Sequence, residues 1–305
     1  MSGVMLMKGV SLTPAHRAKL KFPLWGEQKH DEIRCRVLYM PGSDIGLFEP
    51  WVKYESYAGG TLYNMEEFTP KFMAYFNDPR TVYRELDIGI EVNGNFNDSY
   101  RWVRSSRGKP TEKLDKKTGK VAPALYSHMV QIILFDLPES KAAFSNRLVA
   151  RIGERHRLCV HGIKASIPIG QELLRDEDID RWFLACRNNG LEGAMYKEYD
   201  HKYRRGKAVG GWFKMKPSDT IDGVVTGVNQ AVSDSGVPLD RAGSVNVRMA
   251  DGSTASPAGF QHKLAYLIWQ NPGLYIGQWL EFDYMERDRA GGYRHPTFKR
   301  FREAK

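Results

Sequence analysis

The run MVQIILFDL, Met129 to Leu137, is apolar on both faces of an extended strand, so it is stable only at the centre of a sheet covered on both sides. Around it the chain supplies the other parts of such a layer. From Ile33 to Tyr39 the residues Ile33, Cys35, Val37 and Tyr39 alternate with Arg34, Arg36 and Leu38, which predicts a strand with one buried face, and Lys29 then precedes that strand. RELDIGIEV, Arg84 to Val92, predicts a third. Phe144, Leu148 and Ile152 recur at helical spacing behind Ser140, a serine suited to cap a helix. Ile179, Trp182, Phe183 and Cys186 predict a second helix that ends at Asn188-Asn189-Gly190, with the aromatics in the core.

The pattern changes at Pro217, which closes the segment GWFKMKP. Beyond it come DGVVTGV, then SVNVRMADGS with Val245, Val247 and Met249 alternating before a tight turn, then WLEFDYMER with Leu280, Phe282 and Tyr284 alternating. One helix, near His262 to Gln270, interrupts these strands. The sequence therefore predicts two domains of α+β class: residues 1–217 as sheets with helices, and residues 218–305 as a small barrel, a form that includes the oligonucleotide-binding type.

Lys and Arg number 45 against 36 Asp and Glu, a formal charge of +9, and aromatics make up 12% of the chain. That balance favours a polyanionic partner. The loop Ser105 to Lys120 holds six basic residues and two acids, with almost nothing apolar, and reads either as a solvated hairpin or as an arm that contacts phosphates. Cys35, Cys159 and Cys186 are odd in number and widely spaced, which argues against a disulfide framework and fits a reducing cytoplasm. His156 and His161 flank Cys159, but no second cluster completes a zinc site. No apolar run approaches the roughly 20 residues of a membrane span.

Gly108, Gly119 and Gly206 each precede a lysine, but none of these pairs is followed by Ser or Thr, so the usual phosphate loop is absent. In GWFKMKP, strand alternation sends Trp212, Lys214 and Lys216 to one face, and two ammonium groups about 7 Å apart invite an anion. More telling is the order of charged groups along the chain: Lys29 with Arg34, Glu91 at a strand end, Phe135-Asp136 on the buried strand, Glu192-Gly193 with Lys197, then Lys214 and Lys216.

In that order the sequence resembles the covalent nucleotidyltransferases, and specifically the ATP-dependent DNA ligases of short-tailed bacteriophages. KHDEIR is similar to their K-x-D-G-x-R motif, IEVNGNF to the third motif, IILFDL to the aromatic one after it, EGAMYK to E-G-x-x-x-K and GWFKMKP to the fifth. IDGVVTGV resembles the start of their barrel, and MERDRAGGYRHPTFKRFR their closing segment. The resemblance runs from about Glu27 to Arg302. It departs at Glu32, which stands where the family has a glycine, so the turn must form without a residue free to take positive φ. It departs again at Tyr57, in ESYAGG, where the family has an arginine that Lys53 or Arg80 would have to replace.

The resemblance implies a nucleotidyltransferase domain with ATP-grasp-like antiparallel sheets, followed by an OB-fold barrel, in an enzyme of replication, repair and recombination. It implies that Lys29 attacks the α-phosphate of ATP, that AMP passes to a 5′-phosphate at a nick in double-stranded DNA, and that the 3′-hydroxyl displaces AMP. An ordinary lysine, with a pKa near 10.4, is neutral about four times in ten thousand at pH 7, so activation matters. By the same resemblance Glu27 contacts the adenine amino group, Phe135 stacks on the base, and Arg34 and Glu91 hold the ribose. Lys197 completes the nucleotide site, Glu192 with Glu91 holds Mg2+, and Lys214 and Lys216 bind the α-phosphate. Arg294, Lys299, Arg300 and Arg302, with Lys116 and Lys117 of the basic loop, contact nucleic acid. The enzyme is expected to be a cytoplasmic monomer with no membrane partner. The other readings are an RNA ligase, an RNA-capping guanylyltransferase, or a catalytically inactive OB-fold protein that binds nucleic acid.

Overall fold

The computed structural model describes residues 6–43, 48–114, 121–207, 210–285, 287 and 291–302. The chain divides into two compact units, Met1–Met215 and Lys216–Lys305.

The first unit is built on two five-stranded sheets. In one, the strands run in the order Ala165–Ser166, Val130–Asp136, Glu85–Val92, Ile33–Met40, Trp51–Ser56, antiparallel except for the first pair. Val130–Asp136 is an inner strand, as its apolar run predicts. Period-two alternation sorts the side chains of this sheet: Cys35, Val37, Leu86, Ile88, Ile90, Ile132 and Leu134 enter a core with Phe72, Tyr75 and Phe76 of the Thr69–Asn77 helix and Trp102 of the Phe96–Arg104 helix. The alternate positions carry Arg34, Asp87, Gly89 and Phe135.

The second sheet has the order Gly170–Leu173, Leu24–Lys29, Gly193–Glu198, Trp212–Met215, Val10–Ser11. Leu24, Ala194, Tyr196 and Phe213 pack on Ile179 and Cys186 of the Glu177–Asn188 helix. The register places Met195 opposite both Glu27 and Lys214, and Lys197 opposite Trp25 and Trp212. Alternation then gives Glu27, Lys29, Met195, Lys197, Trp212 and Lys214 to one face, with the apolar core on the other. Lys29 stands ahead of the Ile33–Met40 strand, as the sequence predicts, and is itself the last residue of the Leu24–Lys29 strand.

The Phe144–Val160 helix corrects another expectation. Its N-cap is Ala143 rather than Ser140, and of the stripe Phe144, Leu148, Ile152 only Phe144 is fully buried: Ile152 is 53% exposed, while Arg147, Arg151 and Glu154 join Phe144 on the buried face. Arg147 forms two hydrogen bonds to Asp136 of the first sheet, at 2.7 and 3.1 Å. Arg151 pairs with Glu27 of the second sheet. One helix thus ties both sheets through charges that each find a partner, the condition under which burying them is tolerable.

In the second unit the strands Thr254–Ala255, Pro238–Arg248, Asp219–Val232, Trp279–Tyr284 and Thr297–Phe301 form an antiparallel sheet in that order. Ala258 bridges both Thr297 and Ser244, so the last strand returns to the second and the sheet closes on itself. Val225, Val245, Val247, Leu280 and Phe282 fill the interior with Ile268 of the His262–Gln270 helix.

Candidate active site

The polar faces of the two sheets in the first unit line one cavity. Glu27, Lys29, Arg34, Phe135, Lys197 and Lys214 all border it, together with Lys8, Gly9, Gln28, His30, Glu32, Pro168, Met195 and Trp212. Lys29 Nζ is paired with the Glu192 carboxylate and lies 3.4 Å from the His30 carbonyl oxygen. Cross-strand register explains the pairing, because Lys29 lies directly opposite Gly193, the residue after Glu192.

Glu27 is buried between cations. Lys197 Nζ is 2.7 Å from Glu27 Oε2, Arg151 pairs with the other oxygen, and Trp25 Nε1 donates to it at 3.1 Å. Burial works against the Glu27 charge, but Arg151 and Lys197 outweigh it and hold the carboxyl below the usual carboxylate range. The Lys197 ammonium, buried over the rings of Phe144 and Trp212 at 4.8 and 4.6 Å, is pushed below its ordinary value by desolvation, with Glu27 opposing.

Arg34 reaches the cavity but its guanidinium is committed to Asp87, with Nε 2.7 Å from Oδ1 and a second contact to Oδ2. Tyr203 donates to the same carboxylate at 2.9 Å. Burial disfavours the Arg34 charge, and the Asp87 carboxylate more than offsets it, raising the guanidinium above its ordinary value. The guanidinium lies 5.6 Å from the centre of the Phe135 ring.

Glu32 has an ordinary backbone: the described non-glycine residues with positive φ are Asn64, Asn93 and His295. The turn after Lys29 therefore closes without the left-handed conformation that a glycine would allow. Glu32 Oε2 is buried and has no hydrogen-bond partner among the described residues. Burial pushes its carboxyl up to about 7, with Lys29, Arg34 and His30 pulling the other way. A Cβ on Gly89 would come within 2.4 Å of Glu32 Cγ and 2.7 Å of the Phe135 ring, so only a glycine admits both side chains over that strand.

No protein-family model matches the sequence. The DNA ligase of Escherichia phage T7 is 29% identical over 336 aligned residues, covering 92% of this chain and 89% of that protein. The DNA ligase of Enterobacteria phage T3 is 30% identical over 120 residues, 38% of this chain, and that match spans only 34% of its relative's length. The structure of the ATP-dependent DNA ligase from bacteriophage T7 in complex with ATP superposes with a TM-score of 0.56 at 20% identity, covering 97% of this chain and 98% of that one. Over nearly its whole length the chain is similar to the phage-type ATP-dependent DNA ligases. Its two units have the fold of that family, a nucleotidyltransferase domain followed by an OB-fold barrel.

Several expected site residues lie elsewhere. Glu91 does not border the cavity; its carboxylate is 3.4 Å from His30 Nδ1, and His30 does border it. The Trp212–Met215 strand ends before Lys216, which opens the second unit and has Met285 Sδ 3.9 Å from its Nζ. Lys116 and Lys117 lie outside the described residues. Lys53 is paired with Glu55 and Arg80 with Asp78, so neither replaces the arginine missing at Tyr57. Lys8 Nζ sits 5.3 Å over the Tyr57 ring instead, and both border a second cavity that shares Lys214 with the first.

In the barrel, Arg294, Lys299, Arg300 and Arg302 do lie on or beside the last strand, and Lys299, Arg300 and Arg302 are held by carboxylates of the barrel itself. Lys299 and Arg300 reach Glu281 at 3.0 and 2.6 Å, and Arg302 reaches Asp222 at 3.1 Å and Glu281 at 3.2 Å. Glu281 is only 4% exposed, so it requires cations beside it.

Among the described residues no group of three or more His, Cys, Asp or Glu is placed to hold a metal ion. No helix among the described residues is long and apolar enough to cross a membrane.

Sequence reasoning missed Lys8, His30, Asp87, Arg147 and Arg151. Asp87 was visible in principle, because Glu85, Asp87, Gly89 and Glu91 alternate with Leu86, Ile88, Ile90 and Val92, a polar strand face that has to point at something.

Proposed function

We propose that this ligase seals nicks bearing a 5′-phosphate and a 3′-hydroxyl in duplex DNA, with Lys29 as the nucleophile. Lys29 Nζ forms a bond to the α-phosphorus of ATP as the bond to the bridging oxygen breaks and pyrophosphate leaves. The nick's 5′-phosphate then attacks the same phosphorus, breaking the P–N bond. Finally the 3′-hydroxyl attacks the 5′-phosphorus, releasing AMP and losing its proton. Each step is in-line transfer at phosphorus, where positioning and neutralised charge supply most of the catalysis.

The observation that carries this reading is Lys29 held against Glu192 at a cavity bordered by Phe135 and Lys214. Glu192 can accept the proton that Lys29 must lose before it attacks. Phe135 offers a face for the base, and Glu27, with acceptor capacity beyond its bonds to Arg151 and Lys197, can take a proton from the adenine amino group. Arg34, Lys197, Lys214 and Lys216 supply positive charge for the nucleotide, and Glu192 and Glu91 the carboxylates for Mg2+, which would neutralise phosphate charge. Arg294, Lys299, Arg300 and Arg302, with Lys116 and Lys117, contact the duplex. We take the enzyme to act as a monomer in the cytoplasm.

The test is incubation with Mg2+ and α-labelled ATP or GTP, followed by denaturing electrophoresis, for the wild type and Lys29→Ala. Label from ATP on the wild type alone is expected, and its absence would overturn the reading. Sealing of nicked DNA, but not nicked RNA, separates a DNA ligase from an RNA ligase.

A further inference from the structure

We propose that Glu32 is the residue by which this ligase recognises the ribose of its nucleotide, accepting hydrogen bonds from the sugar hydroxyls and so selecting ATP over deoxy-ATP. The inference rests on the nucleotide reading above: if the base lies on Phe135 and the α-phosphate meets Lys29, the sugar that joins them must lie between those two groups.

Glu32 occupies that interval. It borders the same cavity as Lys29 and Phe135. Its Cγ and the edge of the Phe135 ring converge on one spot over Gly89, 2.4 and 2.7 Å from where a Cβ would stand. The side chain is thus beside the base platform, three residues along the chain from the nucleophile.

The chemistry of the cavity also points to Glu32. Two carboxylates border it, Glu27 and Glu32. Both oxygens of Glu27 already have partners, Arg151 and Trp25 on one and Lys197 on the other, and its remaining acceptor capacity is the part assigned to the adenine amino group. Glu32 Oε2 is buried without a hydrogen-bond partner among the described residues. A buried acceptor in that state is costly unless a ligand supplies a donor, and a carboxylate suits neighbouring hydroxyls because each of its oxygens can accept. Adenine offers its amino group to Glu27, and phosphates offer only acceptors, so the donors left on ATP are the 2′- and 3′-hydroxyls.

The residues that the family resemblance assigns to the ribose are otherwise employed. Arg34 is held in two contacts by Asp87, and Glu91 faces His30 outside the cavity lining. A glycine at position 32, which the resemblance would lead one to expect, could make no side-chain contact at all. Sugar recognition at this position is therefore a property of this chain's own residue.

The test compares ATP, 2′-dATP and 3′-dATP in Lys29 labelling for the wild type, Glu32→Gly and Glu32→Gln. The wild type should prefer ATP over at least one deoxy analogue by about 10- to 100-fold, the penalty for leaving a buried acceptor unpaired. Glu32→Gly should lose most of that preference because its rate with ATP falls while its rate with the deoxy analogue changes little. Glu32→Gln, which keeps one acceptor oxygen and the shape, should be intermediate. A wild-type ratio near one, or a wild-type ratio preserved in both variants, would overturn the proposal. Calorimetric binding of ATP and 2′-dATP to Lys29→Ala reads the sugar contact without any covalent step. Sugar preference there with no labelling of the wild type would overturn the lysyl-AMP reading and leave the Glu32 assignment standing; labelling with no sugar preference would do the reverse.

Discussion

Arg151 and Glu27 pair inside the first unit across 124 positions of sequence, and the same guanidinium donates to the Phe135 carbonyl oxygen at 2.8 Å. One buried cation thereby fixes two residues on different sheets that the proposed nucleotide would touch. Replacing Arg151 with Met removes it while keeping much of the bulk. Glu27 would then retain Lys197 but lose its other charged partner, and breaking a buried pair typically costs about 3–5 kcal/mol. Urea denaturation should show that loss, and adding Glu27→Gln should recover part of it, since the remaining acid would no longer be buried under-compensated. If Arg151→Met unfolds at the wild-type midpoint, the pair does not hold the sheets.

Lys214 borders the cavity that holds Lys29 and also the second cavity beside Tyr57. Lys214→Ala should slow labelling from ATP by at least about 10-fold, the loss of one cation from a developing charge, and leave the melting temperature within a degree or two. Lys216→Ala should also slow it. Labelling at the wild-type rate by both variants would remove the two lysines from the phosphate site.

Glu32 should leave a signature in the pH dependence of stability. Burial pushes its carboxyl to about 7 from a reference value of 4.5. Between those two values the folded chain holds a proton that the unfolded chain has released, so stability is full below about pH 4.5 and declines as pH rises through 7. The loss is at most roughly 3 kcal/mol, and less to the extent that water reaches the side chain. Glu32→Gln should flatten this decline, gaining on the wild type between pH 5 and pH 8 in urea denaturation. An unchanged difference at the two pH values would show that Glu32 titrates normally.

The barrel's terminal cations are shared between Glu281, Asp222 and any bound phosphate. If they contact DNA, Lys299→Ala and Arg302→Ala together should lower the slope of log affinity against log salt by up to about 2. A slope equal to that of the wild type would assign both side chains to the barrel alone.

How far the sequence discloses this molecule depends on where each charge finds its partner. The Ile33–Met40 and Val130–Asp136 strands are legible because their burial is apolar and local alternation records it. The Leu24–Lys29 strand is not, since Trp25, Glu27 and Lys29 face the site while Gly26 faces the core, where a Cβ would meet the Trp182 ring at 2.8 Å. That inverts the usual pattern of large apolar side chains inside. The Phe144–Val160 helix misleads for a related reason. Arg147 and Arg151 look like a solvated face until Asp136 and Glu27, on two different sheets, come to meet them. The motif residues Lys29, Phe135, Lys197 and Lys214 could be named from their order, but Glu32 could be registered only as a departure, because its significance lies in an unpaired oxygen that no sequence displays.

Gly89 gives the final prediction. It lies on the Glu85–Val92 strand with an ordinary backbone, so its substitution is a question of space alone. An added Cβ meets Glu32 Cγ, the middle of a flexible side chain, and the edge of Phe135, a ring held by its own strand. Glu32 can give way more readily than the ring. Gly89→Ala should therefore displace both the proposed base platform and the proposed sugar contact, weakening ATP binding by about 10-fold or more in calorimetry, at a stability cost of roughly 1–3 kcal/mol for overpacking. Adding Glu32→Gly should restore part of the stability and none of the sugar preference, because it removes one of the two clashes together with the acceptor. Wild-type affinity in Gly89→Ala would mean that the nucleotide does not depend on the placement of Phe135 and Glu32 over this strand.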